Sequence, residues 1–299
     1  VEAKNEREIV SMLTAGDQPT RKIGLMLLAA QKGISEAETR ALLSIALSKD
    51  TPEKELLQTF RAHREEVANI VPKLCGEAAQ PDRDVRRNAI LHLGTLCVVL
   101  PKGGGWDSAI ASAMMRAAED PDERVRERAC DGLKYLRGQA DQSVPILIRA
   151  LSDAAPHVRA AGARSLGTSG SRTQRVLQAL GPLLLDAHPR ARRCAADAIM
   201  KLCESHTDDL SINCPAAGST SVPSAGASAV DRPKSGGGVT LRDMLRGLLE
   251  DASVPCIKAA LRAFDRIPNL TESEVASIRG LRTHGDGDVR LLARVLSDR

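Results

Sequence analysis

The 299-residue sequence predicts an all-α fold, a right-handed α-solenoid of about eight stacked helix pairs. Three observations carry that expectation. The stretch Asp120-Pro121-Asp122-Glu123-Arg124-Val125-Arg126-Glu127-Arg128-Ala129-Cys130-Asp131-Gly132-Leu133 returns in altered form at 153–166 and 186–199. The copies recur at a period of about 33 residues, the mark of stacked repeats. Between them lie other apolar-periodic segments, such as 144–151, 175–185 and 241–249. Each unit is thus a pair of helices that cannot bury its apolar face alone, and stacking solves that.

The shared frame is an Asp, a nearby Pro, an aliphatic residue five after the Asp, an Arg directly after that, a small residue four on from the aliphatic one and a large one eight on. Positions 0, +4 and +8 from the aliphatic residue fall on one helical face. The small residue (Ala129, Gly162, Ala195) admits a neighbouring backbone, and the large one (Leu133, Leu166, Ile199) fills the space beyond. Asp and Pro together read as a helix start, because Asp accepts a free N–H and Pro loses no bond in the first turn. The reference position falls at Thr20, Glu55, Val85, Val125, Val158, Ala191, Cys256 and Val289. The first two copies are degenerate, and Glu55 suggests a frame out by one position.

In chain order, 2–14 and 18–30 read as the first pair, and 35–48 as the next helix, with Ser35 and Glu38 at capping-box spacing. The pattern runs nearly unbroken from Pro52 to Leu74, with an indistinct join near His63. Residues 82–100 follow, then Pro101-Lys102-Gly103-Gly104-Gly105 as a link, and Trp106-Asp107 opens the helix before the best copy. Residues 204–238 are rich in Gly, Ser, Ala and Pro and lack the apolar side chains that offset ordering. They read as a mobile insertion within one domain spanning 1–299. Pairs resume at 240–250 with 254–266, and at 272–282 with 286–298.

The Asp…Val-Arg…Ala…Leu pattern resembles the HEAT-repeat family in its short bacterial, phycobilisome-lyase-like form, over nearly the whole chain. The resemblance implies a ladder of ion pairs and hydrogen bonds along the stack, made by Asp120, Asp153, Asp186 and Asp251 with Arg86, Arg126, Arg159, Arg192 and Arg290. The seventh copy departs from it: Ile257 takes the Arg position and Lys258 comes one place late.

Composition narrows the function. Four aromatic residues, Phe60, Trp106, Tyr135 and Phe264, argue against base stacking and cation cages, which need exposed rings. Net charge is +4, but residues 121–203 hold 14 Lys and Arg against 8 Asp and Glu, a surplus of 6. That basic middle suits phosphates or an acidic partner, although Arg126, Arg159 and Arg192 belong to the ladder. The seven cysteines form no Cys-x-x-Cys pair. Cys130, Cys194 and Cys256 sit at core positions, which favours a reducing compartment and slightly favours the cytoplasm. Cys214 is expected to be the exposed thiol. No apolar run of 18 residues spans a membrane. An opening Val1 rather than Met fits either a removed leader or a piece of a longer protein.

A search for chemistry finds no His-Glu pair, no His-Glu-x-x-His, no phosphate loop and no Gly-x-Ser-x-Gly elbow. No cofactor or metal is expected. His157 and His188, one period apart, read as residues at helix starts. The expectation is a non-catalytic protein–protein interaction scaffold that holds a protein or peptide on the solenoid surface. One alternative is a chromophore-lyase-like factor, which the resemblance implies. The other is a nucleic-acid binder that uses Arg164, Arg172, Arg175, Arg190 and Arg193 on one face.

Overall fold

A computed structural model describes residues 2–101, 103–170, 173–203, 210, 212–214, 239–267 and 269–298. The chain divides into two compact units, 1–139 and 140–299. Among the described residues the regular structure is helical, apart from one isolated antiparallel bridge between Asn213 and Thr240.

The first unit holds α1 (Glu2–Leu13), α2 (Gln18–Ala29), α3 (Glu36–Leu47), α4 (Glu53–Ala62), α5 (Arg64–Val67), α6 (Val71–Glu77), α7 (Arg83–Val99), α8 (Asp107–Ala117) and α9 (Glu123–Leu133). The leading helices of each pair, α1, α3, α6 and α8, form one layer, and the following helices, α2, α4, α7 and α9, form the other. Starts are set by side-chain caps. Asp17 accepts from Thr20 N, Ser35 and Glu38 close a full capping box, and Asp82 and Asp122 each accept from two N–H groups. The indistinct join near His63 is a break, with φ −120° and ψ 40° at His63 between α4 and α5.

The second copy keeps its register, since Glu55 stands three after Pro52 at the helix start, as Val125 stands three after Asp122. Its polar residues at +4 and +8 are buried and satisfied. The Thr59 hydroxyl donates to Leu25 O at 3.1 Å, and His63 Nε2 bonds Leu28 O at 2.8 Å. Glu55 itself pairs with Lys22 at 3.0 Å. Hydrogen bonds to the α2 backbone thus replace the apolar contacts of the other copies.

The second unit holds α10 (Ala140–Ala150), α11 (Pro156–Ser169), α12 (Gln174–Leu180), α13 (Pro189–Cys203), α14 (Leu241–Gly247), α15 (Val254–Arg266), α16 (Glu272–Gly280) and α17 (Gly287–Ser297). Following helices α11, α13, α15 and α17 pack in succession. Their faces approach closely. A Cβ added at Gly167 would stand 2.6 Å from Ala198 Cα, so only glycine permits the α11–α13 contact. In the first unit Gly94 and Gly132 face each other between α7 and α9, and the tight space is at Gly132, where a Cβ would stand 2.7 Å from the Met114 side chain. Val158, Leu166, Ala195, Ile199, Ala260 and Phe264 form the seam of the second unit. Each large member contributes roughly 1.5–3 kcal/mol by leaving water.

The expected insertion at about 204–238 lies almost wholly outside the described residues, but its two stems are inside. Cys214 N donates to Val239 O at 3.1 Å and Leu241 N to Ile212 O at 2.9 Å. Cys214 is buried rather than exposed. Its Sγ occupies the space beside Gly181, where a Cβ would come within 2.4 Å. This apolar seat overrides the polar composition of its neighbours, from which exposure was expected.

Candidate functional site: the following-helix surface and its ladder

The ladder residues are positioned by the turn before each following helix. Arg86 donates from Nε to Asp120 Oδ2 at 2.7 Å and from Nη2 to Oδ1 at 2.9 Å. Arg159 grips Asp186 at 2.7 and 2.8 Å, and Arg192 grips Asp251 at 2.6 and 2.8 Å. The two-pronged fork suits a carboxylate. The remaining guanidinium nitrogen caps two carbonyls of the arginine's own turn, five and six residues back. It does so in Arg86, Arg126, Arg159, Arg192 and Arg290. Partly buried, each Arg–Asp pair ties one turn to the next.

The Asp of the frame does not open the helix. Asp120, Asp153, Asp186 and Asp251 each accept from the backbone N–H two residues on, at 2.7–2.9 Å, and so shape the turn. The cap comes later, from Asp122 and Asp286. At the seventh copy, Ser253 precedes Cys256 by the usual three residues, so the register holds. Lys258 reaches Asp286 at 3.0 Å and Asp288 at 2.8 Å, in place of the missing Arg. A further pair, Arg242 with Glu274, joins α14 to α16. Burial pushes Glu274 up, yet its bonds from Arg242 and Thr271 hold it below the ordinary carboxylate value.

Positions committed to packing contrast with those facing outward. At +4 every copy from the third on carries Ala or Gly, and all are buried: Ala89, Ala129, Gly162, Ala195, Ala260 and Ala293. At +6 the residues are Leu91, Asp131, Arg164, Asp197, Arg262 and Val295, none of them buried. Arg190 and Arg193 are exposed on one face of α13, and Arg164 takes the +6 place on α11. Arg175 is exposed on α12, in the other layer, and Arg172 lies outside the described residues. The five are therefore not gathered on one helix face. Asp197 sits among Arg193, Arg262 and Lys201. Burial raises its pKa, and those three cations oppose the rise.

Sequence reasoning missed a polar cleft of about 370 Å³ in the first unit. The turn from Ser48 to Glu53, the α7 residues Arg87, Asn88, Leu91 and His92, and the α9 residues Arg124, Glu127 and Arg128 line it. Asn88 is fully used, donating to Leu47 O and Ser48 O and accepting from Arg87. His92 is 3% exposed and packs edge-on against Phe60 at 6.2 Å. Burial drives its pKa down to about 4, against a hydrogen bond to the Ala46 carbonyl. The imidazole is neutral at pH 7, and its Nε2 has no protein hydrogen-bond partner. The cleft is assembled from three stretches far apart in sequence, and no local pattern announces it.

Burial pushes the Cys97 thiol up to about 12 and also raises Cys75, Cys214 and Cys256, which disfavours the reactive thiolate at these four. Among the described residues, no three His, Cys, Asp or Glu side chains gather to hold a metal ion. No described helix is long and apolar enough to cross a membrane.

Residues 110–201 match the sequence profile of HEAT repeats. Over that stretch, about a third of the chain, the sequence is similar to HEAT repeats. The match is to these repeats in general and does not single out the phycobilisome-lyase-like subgroup. No curated protein matches the sequence significantly. Among solved structures, an archaeal HEAT-like repeat protein from Thermococcus onnurineus NA1 is similar, with 15% identity and TM-score 0.54 over 89% of this chain and 96% of that one. A designed armadillo repeat protein is similar at 16% identity and TM-score 0.51, over 76% of this chain and 98% of its own. Kap121p is similar at 12% identity and TM-score 0.68, over 99% of this chain and 33% of its own, so the chain spans about a third of that protein's length. At these identities the likeness is one of fold: an all-α repeat solenoid of the HEAT and armadillo kind.

Proposed function

We propose that the chain is a non-catalytic interaction scaffold that holds a protein or peptide along its following helices. One observation supports this most: the contrast between the uniform, buried +4 positions and the varied, outward +6 positions of the same helices. Packing dictates the first set. The second set is released from packing and differs in charge and size from copy to copy, as a surface that reads a partner requires. Arg164 belongs to this outward row and, together with Arg190 and Arg193, which are exposed on α13, is assigned partner contact. Arg175, in the other layer, is not.

Nucleic-acid binding is the weaker reading, because Asp197 lies among the cations Arg193, Lys201 and Arg262 and breaks the run of positive charge that a phosphate backbone follows. A chromophore-lyase role is weaker again. Phe60 and Phe264 are sealed in the core, which removes two of four aromatic rings from service on a pigment.

Photo-crosslinking residues installed at Arg124 and Arg193, on following helices, and at Arg40 and Arg175, on leading helices, test the proposal in source lysate. Protein adducts at the first two positions and none at the others are expected. Adducts confined to leading helices would overturn the assigned surface. Nucleic acid recovered in a steeply salt-dependent manner would favour the second reading.

A further inference from the structure

We propose that the cleft formed by the α3–α4 turn, α7 and α9 binds an acidic segment of the protein partner, with an Asp or Glu carboxylate of that segment held by Arg128. The proposal rests on the scaffold reading and names the partner's chemistry.

Four cations line the cleft, Lys49, Arg87, Arg124 and Arg128, against two carboxylates, Glu53 and Glu127. Three of the cations already have partners. Lys49 and Arg87 share Asp84, at 3.1 and 3.2 Å, and Arg124 pairs with Glu127 at 3.4 Å. Arg128 is half-buried and has no carboxylate within ion-pair distance among the described residues. A guanidinium that is partly desolvated and unpaired carries a cost that an incoming carboxylate relieves, and its planar fork matches that group. In the ladder of this same protein, Arg86, Arg159 and Arg192, also partly buried, are each forked onto an aspartate.

The second mark is His92. Its Nε2 is an acceptor without a donor in the cleft wall, and Arg128 is near enough for its charge to act on the ring. Buried polar groups in native proteins are overwhelmingly partnered. Nε2 is shielded from solvent, so a donor reaches it only by displacing the side chains over it. Arg128 is therefore the first contact and His92 the second. A peptide brings both functions together, since a backbone N–H accompanies every acidic side chain. A phosphodiester backbone brings no donor at its anionic groups, and the cleft carboxylates Glu53 and Glu127 disfavour a polyanion. These features favour a mixed, singly charged segment over a nucleic-acid backbone.

The test uses the full chain and a blocked Ser-rich octapeptide with a single central Glu, its Gln-for-Glu counterpart, and inorganic phosphate, each titrated into the millimolar range and followed by amide NMR. The Glu peptide is expected to shift resonances of α7 and α9, and the Gln peptide and phosphate to leave them in place. Arg128→Gln is expected to weaken Glu-peptide binding at least 10-fold and Arg128→Lys to weaken it partially. Arg175→Gln, exposed on α12 and outside the cleft, should bind as the parent does. Thermal melts of each variant separate lost binding from lost folding. Absence of Glu-peptide binding at millimolar concentration, or equal binding by Arg128→Gln, would overturn the proposal, and equal binding of phosphate would overturn its peptide assignment. If the crosslinked partner above is captured equally by Arg128→Gln, the cleft assignment fails while the scaffold stands. If no protein is crosslinked at the following helices, the scaffold itself fails.

Discussion

Arg192 on α13 grips Asp251 before α15 with two hydrogen bonds of 2.6 and 2.8 Å, across 59 residues of sequence. The pair has the same geometry as Arg159 with Asp186, only 27 residues apart. The extra length between the sixth and seventh copies therefore leaves the ladder unaltered: α13 meets α15 as α11 meets α13. Asp251 also shapes its own turn through Ser253 N, so one carboxylate serves both the join and the turn.

Arg192→Ala should therefore destabilise the second unit by about 3 kcal/mol, because it strands a mostly buried Asp251 and uncaps the carbonyls of Asp186 and Ala187. Arg192→Lys should recover only part of this, since an ammonium cannot supply the fork and the carbonyl cap at once. Chemical-unfolding midpoints of the two variants decide the matter. Equal stability of the lysine and alanine variants would show that the fork contributes nothing.

Gly167→Ala should also destabilise, by about 2 kcal/mol, despite a helix propensity that favours alanine by roughly 1 kcal/mol. The new Cβ would lie 2.6 Å from Ala198 Cα and 2.8 Å from Ala198 Cβ, so α11 and α13 would have to part. Gly76→Ala, at a helical glycine with open space around its Cβ position, provides the comparison and should be neutral or stabilising. Thermal melts of the pair separate propensity from packing.

The repeat, its period and the arginine positions were legible because packing and capping constrain each copy in the same way, so the signal repeats. What the arginine reaches came only from the family resemblance, which implied an Asp–Arg ladder, and not from the local pattern, since its aspartate lies one repeat away. The same distance hid Thr59 and His63, which look like faults in the second copy until the Leu25 and Leu28 carbonyls come beside them. Lys258 shows the reverse case: its displacement by one place looks like a lost register, yet a longer, flexible arm from that place meets Asp286 and Asp288. The cleft is invisible in the sequence for a related reason. Its residues come from three helix pairs, and Arg128 matters only because no carboxylate arrives beside it.

Ser165 offers a test of an unmet hydrogen bond. Its hydroxyl is fully buried on α11 with no partner. Removing an unsatisfied buried polar atom takes away its desolvation cost, so Ser165→Ala should stabilise the protein by about 1 kcal/mol. Ser165→Val, of larger volume, should lose that gain by overpacking. The unfolding free energies of the two variants relative to the parent check both statements.

His92 sets an acid limit on the first unit. Its folded pKa of about 4 lies below the ordinary value of 6.5, so between those values the unfolded chain binds a proton that the folded chain refuses. Stability should fall as pH drops through this window, at about 1.4 kcal/mol per unit and roughly 3 kcal/mol in all, and should level off for this group below pH 4. The buried setting against Phe60 and the nearby charge of Arg128 make the protonated ring costly. Glu274, held low by Arg242 and Thr271, also loses stabilisation in acid, as pH falls through its folded pKa. Total stability is therefore the wrong quantity to follow. The difference between parent and His92→Asn isolates the imidazole, because Glu274 contributes equally to both. Asparagine keeps an N–H for the Ala46 carbonyl and does not titrate. The variant should start less stable at pH 7, from the space it leaves beside Phe60, and the gap should close steadily from pH 6.5 to 4. A gap independent of pH would mean that His92 protonates as readily in the folded chain as in the unfolded one.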